Sequence, residues 1–340
     1  MIWGMSTAYA ADVTVGVSDD RPGDVIGGTT DNNTVTIGAE GGGDHPVIGG
    51  NVVGGYAAAG NVANNKVTIN SIKLGAGKAV YGGKSDAGAA TNNIVTITGG
   101  MLNNNNKIIG GSGTASSMSN GNIVNLGDEN GNFSADLRRA EIWGTSYGGQ
   151  VQDNDSDKIK GNTLNVNASG IRLEMVRNFQ KINFNLTKSV TAGSTMLTMD
   201  TGNFGLGYGK AFDWKNFSLT GKENDPDETK YGRIGTINLL YAYSGSDMKI
   251  GNYPNGGTKA TTGDYEYHME ADGGNFMGSR SSQLIKANVD RFKNANATAD
   301  NVTGTAVYGG YSSLGNTTTN NRIKITNTNN TNLNVYGGYT

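Results

Sequence analysis

Cysteine is absent from this chain of 340 residues, and proline, histidine and charged residues are scarce. Without cysteine, the chain has no disulfide framework and no thiolate metal site. Only 16% of its residues are charged, and the net charge is −2. Since no basic patch interrupts this balance, the phosphate attraction that dominates nucleic-acid binding has no source, and we expect no nucleic-acid partner.

Long apolar runs are also missing: no stretch of about 18 apolar residues could span a membrane as a helix. The two histidines, His45 and His268, lie in a turn pattern and in an alternating strand pattern, and neither is near a nucleophile motif. We therefore predict that the chain is not an enzyme. We expect no catalytic residue, no cofactor-binding residue, no cofactor and no metal ligand.

Glycine is abundant, with 54 residues, while apolar residues make up only 35% of the chain. Glycine is costly inside regular elements, so this many glycines must lie in recurring turns or close backbone contacts. The low charge argues against a disordered chain. The remaining Asn, Thr and Ser content is typical of many short strands joined by polar turns.

A short apolar strand followed by two glycines recurs along the chain. Its copies lie at residues 25–28, 47–50, 52–55, 80–83, 108–111, 307–310 and 335–338, with a degenerate copy at 142–145. The spacing is 28 residues from 52 to 80, from 80 to 108 and from 307 to 335, and 34 residues between 108 and 142, which indicates a loop insertion. We expect each glycine pair to supply a turn, because glycine has no Cβ to clash.

An asparagine pair followed by an alternating V-T-I strand is the second repeated motif. Its copies lie at residues 32–37, 64–69, 92–97 and 320–325, with weaker copies at 122–126 and 162–166. Val and Ile point to one face of such a strand and Thr to the other. Asparagine tolerates the left-handed backbone region and can turn the chain. A third short strand is expected after V-T-I, for example at residues 71–74.

A helix-free unit of this length cannot bury its apolar face alone, and stacking of successive units makes that face continuous. Equivalent strands would then pair in parallel about 4.8 Å apart, with asparagine side chains stacked at the corners. The predicted fold class is all-β: a right-handed parallel β-helix (β-solenoid) with roughly 28-residue repeats. Propeller blades of about 40–45 residues do not fit this spacing.

The predicted organisation has four parts. Residues 1–10 form a signal-peptide remnant, because Ala8, Tyr9 and Ala10 have the small-x-small form of a cleavage site. Residues 11–169 are β-solenoid repeats, residues 170–300 are irregular coils with loop insertions, and residues 301–340 are resumed repeats in a chain expected to be truncated. A separate middle domain stays open as an alternative for residues 170–300. The remnant predicts an exported protein.

The V-Y-G-G-Y/K-S…G-x-x-T-x-N-N-x-V-T-I unit, clearest at residues 80–97 and 307–325, resembles the repeat of autotransporter (type V secretion) passenger domains of Gram-negative bacteria. Residues 178–184 and 192–198 resemble a further segment of such passengers. The resemblance implies an adhesin-like β-helix at the cell surface, outer membrane-anchored or secreted. It also implies a C-terminal outer-membrane barrel in the same natural chain, and host or neighbouring-cell surface proteins or glycans as partners.

Aromatic residues occupy the second position of several repeats: Tyr81, Trp143, Tyr308 and Tyr336. If they point outward, they form a ladder that could contact sugar rings or partner surfaces. If they point inward they are core, as is favoured by the aliphatic residues at the same position, Ile26, Val53 and Ile109. Two other functions stay open. A polysaccharide-cleaving β-helix would need a convergent carboxylate pair, and an inert spacer would present another domain.

Overall fold

The computed structural model describes residues 11–29, 31–40, 45–114, 118–146, 157–200, 212–221, 233–242, 250–272, 283–300, 302, 306–326 and 332–340. These residues are all-β: apart from one 3₁₀ turn, Trp214–Asn216, their regular elements are strands. The predicted signal-peptide remnant at residues 1–10 lies outside the described residues.

The strands of the first 200 residues are short, and most have two to seven residues. They are β1 Asp12–Val15, β2 Val25–Ile26, β3 Thr34–Ile37, β4 Val47–Ile48, β5 Val52–Ala57, β6 Val62–Ala63, β7 Lys66–Ile69, β8 Lys73–Leu74, β9 Ala79–Ser85, β10 Ala90–Thr91, β11 Ile94–Ile97, β12 Lys107–Ser112, β13 Ile123–Leu126, β14 Leu137–Ser146, β15 Thr163–Val166, β16 Ile171–Arg177, β17 Lys181–Leu186 and β18 Thr195–Met199.

The later strands are less even in length. They are β19 Phe212–Asp213, β20 Phe217–Gly221, β21 Arg233–Ala242, β22 Ile250–Gly251, β23 Thr258–Thr262, β24 Tyr265–Asp272, β25 Gln283–Arg291, β26 Asn296–Asp300, β27 Ala306–Tyr308, β28 Arg322–Thr326 and β29 Asn334–Tyr336.

Two long sheets organise these strands. The first sheet has the order β1-β3-β7-β11-β13-β15-β17-β20, and all its neighbours are parallel. The second sheet runs β2-β5-β9-β12-β14-β16-β18-β21 with parallel neighbours, and then continues through β25, β24 and β23 with antiparallel neighbours. This all-β architecture with long parallel sheets is compatible with the expected solenoid.

The second sheet stacks the repeats in the predicted register. Val52 pairs with Val80, Val80 with Ile108, and Ile108 with Ile142. The 34-residue interval before Ile142 therefore keeps the same column as the 28-residue intervals, because the extra residues lie outside the paired strands. We use the term rung for one strand of a repeat in such a column.

The V-T-I strands fill the core as their alternation predicts. Their Val and Ile positions are almost fully buried, and the residue between them faces outward and is only partly covered, in β3, β7 and β11 alike. Each fully buried Val or Ile contributes about 1.5–3 kcal/mol of hydrophobic stabilisation. The expected third strand is also confirmed, since β8 pairs with β4 in a short parallel sheet.

The two asparagines of each pair have different roles. The first has a left-handed backbone, as at Asn32, Asn64 and Asn92 with φ of 63°, 59° and 54°. In the weaker copies Gly121 and Gly161 replace it, also with positive φ, because glycine adopts this region freely. The position therefore selects for backbone conformation.

At the first five of these corners the residue after the left-handed position is a fully buried asparagine, and these residues form a continuous hydrogen-bonded column, the asparagine ladder: Asn33, Asn65, Asn93, Asn122 and Asn162. The last link runs from the Asn122 backbone N–H to Asn162 Oδ1. Asn65 Nδ2 and the Asn65 backbone N–H both donate to Asn93 Oδ1, at 2.9 Å and 3.0 Å. The predicted stacking of corner amides is confirmed. A buried amide left unpaired would cost about 1–3 kcal/mol. The buried donors of one rung are therefore satisfied only when the following rung supplies an asparagine oxygen as acceptor.

The glycine pairs at residues 54–55, 82–83 and 110–111 lie within β5, β9 and β12, so the prediction that they form turns is wrong. They are required by close approach instead. A Cβ on Gly54 would overlap the carbonyl oxygen of Gly82 on the next rung, and a Cβ on Gly55 would overlap the side chain of Asn65. The glycine pair therefore leaves the space that the buried asparagine of the same repeat occupies.

The chain after Met199 departs from regular stacking. Parallel pairing continues through β20 and β21, but β23, β24 and β25 add antiparallel strands to the second sheet, where the sequence predicted further irregular coils. The core also becomes aromatic: Phe212 contacts Phe217 edge-on at 4.5 Å, and Trp214 contacts Tyr253 at 4.7 Å. Parallel repeats resume with the pairs β26–β28 and β27–β29.

Candidate functional site

The predicted aromatic positions 81 and 143 lie in one column on the outer face of the second sheet. Register pairs join the six residues of this outer column in order: Ile26, Val53, Tyr81, Ile109, Trp143 and Arg177. The residues just before them in sequence, such as Val80 and Ile142, belong to the core cluster, whereas these side chains do not. The position therefore faces outward, although aliphatic residues occur there too.

Exposure varies along the outer column because large side chains cover small ones. Ile26 at its end is 42% exposed, whereas Val53 and Ile109 are only 3% exposed, since each lies one rung from Tyr81. Burial raises the pKa of the Tyr81 hydroxyl, Asp24 adds to this, and Lys84 opposes it. Tyr81 thus acts as a partly buried cover, not as a freely standing ring.

Trp143 is held by charged neighbours on adjacent rungs. The ammonium of Lys107, from the preceding rung, lies 5.5 Å from the ring centroid, and the guanidinium carbon of Arg177, from the following rung, lies 5.0 Å from it. The indole Nε1–H donates to Glu141 Oε2 at 2.9 Å. These four residues are termed the Trp143 clamp. Such cation–π contacts are typically worth about 0.5–1 kcal/mol at exposed sites.

Tyr308 and Tyr336 occupy a different part of the fold, on β27 and β29. Their rings stack at 5.2 Å, and Tyr311 stacks on Tyr339 at 5.4 Å in a second pair. Edge-on contacts of 5.0–5.5 Å join the pairs into a four-tyrosine cluster. Tyr336 and Tyr339 are 36% and 43% exposed. The four predicted aromatics therefore form two separate groups, and their ligand contacts stay a prediction.

A pair of buried carboxylates lies on β24 and β25, which the sequence analysis did not single out. Glu266 and Asp290 are register partners with 1% and 3% exposure. Glu266 accepts hydrogen bonds from the backbone N–H groups of Ser313 and Leu314, at 2.6 Å and 2.9 Å, and from Asn316 Nδ2 at 2.6 Å. No local motif marks this contact, because its partners are 46–50 residues apart.

This carboxylate cluster is enclosed. The Ser312 hydroxyl donates to Glu266 at 2.8 Å, and the Ser313 hydroxyl donates to Asp290 at 2.5 Å. An acid–base pair for glycoside cleavage must flank an accessible bond, whereas these carboxylates face a loop of the same chain. The cluster therefore acts chemically as a clasp between β24–β25 and residues 312–316, named the Glu266 clasp.

An open cavity of about 490 Å³ lies beside the 3₁₀ turn. Asp213, Trp214 and Thr258 line it, and Trp214 Nε1 donates to Thr258 Oγ1 at 2.7 Å. Hydrogen bonds from Asn252 and Lys215 lower the pKa of Asp213 against the opposing effect of burial. The polar groups of this cavity are therefore engaged with one another.

In the described part of the chain, three or more His, Cys, Asp or Glu side chains do not converge in a way that could hold a metal ion. His268 Nε2 contacts the Gly256 carbonyl at 2.7 Å. None of the described helical residues forms a segment long and apolar enough to cross a membrane.

Comparison with known proteins adds no identification. No protein-family model, no curated protein and no solved structure matches this chain.

Proposed function

We propose that this chain is part of a right-handed parallel β-helix that a Gram-negative bacterium exports and displays at its surface as an adhesin-like passenger rod. In this proposal the chain has a structural and a ligand-binding role, and it catalyses no reaction. Its outward columns and loops contact a protein or glycan on a host or neighbouring cell.

The observation that supports the proposal best is the constancy of register through the stacked repeats. Val52, Val80, Ile108 and Ile142 form one buried column, and the asparagine ladder forms a second. A unit with no helix and few apolar residues buries its core only through its neighbours, which favours an elongated rod. A rod presents a long lateral surface and suits attachment at a distance from the cell.

The outer column supports the binding half of the proposal. It places Ile26, Tyr81 and Trp143 on the outer face of a rigid sheet, with charged side chains beside them. Aromatic and arginine side chains with a polar rim are typical of interaction surfaces. The enclosed Glu266 clasp gives no comparable support to a polysaccharide-cleaving enzyme.

Attachment is tested with the purified 340-residue chain, labelled with a fluorophore and titrated onto epithelial cells and onto bacterial cells. Saturable binding that excess unlabelled chain displaces is the expected result. Pretreating the cells with protease or with periodate then separates a protein ligand from a glycan ligand. Binding that never saturates on any cell type would overturn the adhesive function.

Surface display is tested separately on the producing bacterium. We expect an antibody against the chain to label intact cells, and external protease to remove that label without lysis. Labelling that requires permeabilised cells would contradict display, whatever the purified chain binds.

A further inference from the structure

The Trp143 clamp differs in its charge balance from three cations on neighbouring positions of the second sheet. Lys84, Arg138 and Arg172 each lie within 2.7–3.2 Å of a carboxylate oxygen, on Asp86, Asp136 and Asp200 respectively. Lys107 reaches its acid, Glu141, only at 4.0 Å, and Arg177 has a ring contact but no ion pair with any described residue. The clamp therefore holds two cations against one carboxylate.

The geometry of the clamp also preorganises these cations. Lys107 lies one rung before Trp143 and Arg177 one rung after it, so the indole separates them by at most about 10.5 Å from the two centroid distances. Contact with the ring restricts both long side chains. Restricting them in advance lowers the entropy cost of binding an anion.

The ring of Trp143 has close neighbours from both adjacent rungs. Arg177 approaches the ring from the following rung, and Lys107 and Ile109, the register partner of Trp143, lie on the preceding rung. What the clamp offers is two fixed positive charges on the outer face of a sheet, a surface that suits an extended anionic chain better than an enclosed small molecule.

We propose that the Trp143 clamp binds an acidic glycan, a polysaccharide with carboxylate or sulfate groups at regular intervals along an extended chain. The proposal rests on the adhesive function above and names its ligand class. Arg177 would bind one anionic group with its planar guanidinium, and Lys107 would bind another on the far side of the indole. Neutral glycans lack the groups that these cations recognise.

Nucleic acid fits the site less well. Tight phosphate binding needs many cations along one path, whereas this chain has a net charge of −2 and the clamp has two cations. An acidic peptide shares the carboxylate chemistry, and the experiment separates it from a glycan by the probe used.

The test measures binding of four probes to the immobilised 340-residue chain by surface plasmon resonance: heparin, hyaluronan, neutral dextran and poly-glutamate. We expect heparin and hyaluronan to bind and dextran not to bind. Arg177→Gln should weaken both acidic glycans about ten-fold, since a charge-assisted contact is lost. Lys107→Gln should weaken them by a similar or smaller factor.

Arg172→Gln is the matched control, because Arg172 lies on the same strand, β16, but is already paired with Asp200. It should change glycan affinity less than two-fold. Circular dichroism melting of each variant verifies that the fold is kept. The inference is overturned if Arg177→Gln binds heparin like the wild type, if poly-glutamate is the preferred probe, or if no acidic glycan binds.

Cell attachment of the same variants separates this inference from the function on which it rests. Attachment that stays undiminished in Arg177→Gln would overturn the clamp as the binding site and leave the adhesive function standing. Failure of the wild-type chain to attach to any cell would overturn the adhesive function itself, even where heparin still binds.

Discussion

The part of the chain before Asp200 and the part after Phe212 stabilise strands in opposite ways. In the first part the rungs with complete repeats share one environment, with an aliphatic core, a glycine pair and one ladder asparagine. In the second part single-copy contacts dominate, such as the aromatic packing of Trp214 and the Glu266 clasp. Repetition makes stability local, whereas single contacts make it depend on residues far apart in sequence.

The boundary between these two modes is visible at the asparagine corner. Asn178 keeps the left-handed backbone with φ of 56°, but the fully buried Phe179 follows it, and Gln180 instead of asparagine precedes Lys181, the register partner of Thr163. At Asn294 the left-handed residue is again kept, and Ala295 fills the ladder position. The left-handed backbone conformation of the corner is therefore kept at repeats that have lost the ladder asparagine.

The largest expected effect breaks the regular part at a glycine. Gly82→Ala would drive a Cβ into the Gly110 carbonyl of the next rung, and we expect a loss of on the order of 4 kcal/mol in the free energy of unfolding. The control is Gly337→Ala, at the same repeat position but with no atom within 4 Å. Urea denaturation measures both. Equal losses would contradict the close-approach explanation.

The ladder provides the next test. Asn93→Ala removes the acceptor of two buried Asn65 donors, the backbone N–H and Nδ2, and should cost about 2–4 kcal/mol. Asn92→Gly is its neighbouring control and should be nearly neutral, since Asn92 serves only the left-handed backbone. Thermal and urea unfolding of both variants give the comparison. A costly Asn92→Gly together with a neutral Asn93→Ala would reverse the roles assigned here.

In the second part the Glu266 clasp should be the sensitive point. Glu266→Gln replaces an acceptor oxygen by an amide facing N–H donors, and we expect a loss of about 2 kcal/mol. Glu270→Gln, four residues along β24 and paired with Lys286 near the surface, should cost less than about 0.5 kcal/mol. Amide hydrogen exchange should show faster exchange at Ser313 and Leu314 in the first variant alone. If Glu266→Gln instead raised amide exchange equally in both parts of the chain, the clasp would not stabilise residues 312–316 locally.

The smallest effect is a pH dependence in the regular part. Hydrogen bonds from Arg138, assisted by Asn103, lower the pKa of Asp136 from 3.8 to about 2, against the opposing effect of burial. Because the folded pKa is lowered, the stabilisation is complete above about pH 4 and is lost as pH falls toward 2. Its size should stay below about 1 kcal/mol, since the pair is partly exposed.

NMR titration of the Asp136 carboxyl carbon reports this pKa directly. Asp136→Asn should also remove the corresponding difference between urea midpoints measured near pH 6 and near pH 2. A carboxyl titration midpoint near 4 in the folded protein would contradict the lowered value.

Local, repeated features of the fold could be predicted from the sequence. The V-T-I strands, the left-handed asparagines and the column through Val52, Val80 and Ile108 follow from short motifs that recur, and each copy reinforces the others. The glycine pairs were located correctly but misinterpreted as turns, because their contact lies on the adjacent rung and not in the chain near them.

The antiparallel strands β23–β25 and the Glu266 clasp could not be predicted. They occur once, and their partners are too far apart in sequence for any periodic signal. The sequence identified the positions that form the outer column, but it did not predict that their side chains face away from the core. Alternation through a Val-Tyr or Ile-Trp pair does not say which member faces the core when both are apolar.

The asparagine ladder also bears on how a chain of this kind changes length. The Asn65 and Asn93 amides each accept hydrogen bonds from the preceding rung and donate to the following one, so these internal units have identical boundaries. Excising residues 53–80, one 28-residue unit, would bring Asn33 against Asn93 and Val52 before Tyr81, leaving both columns intact. Duplicating that unit would lengthen the stack by about 4.8 Å. The length of the stack can thereby change by whole repeats through unequal recombination, without a new fold.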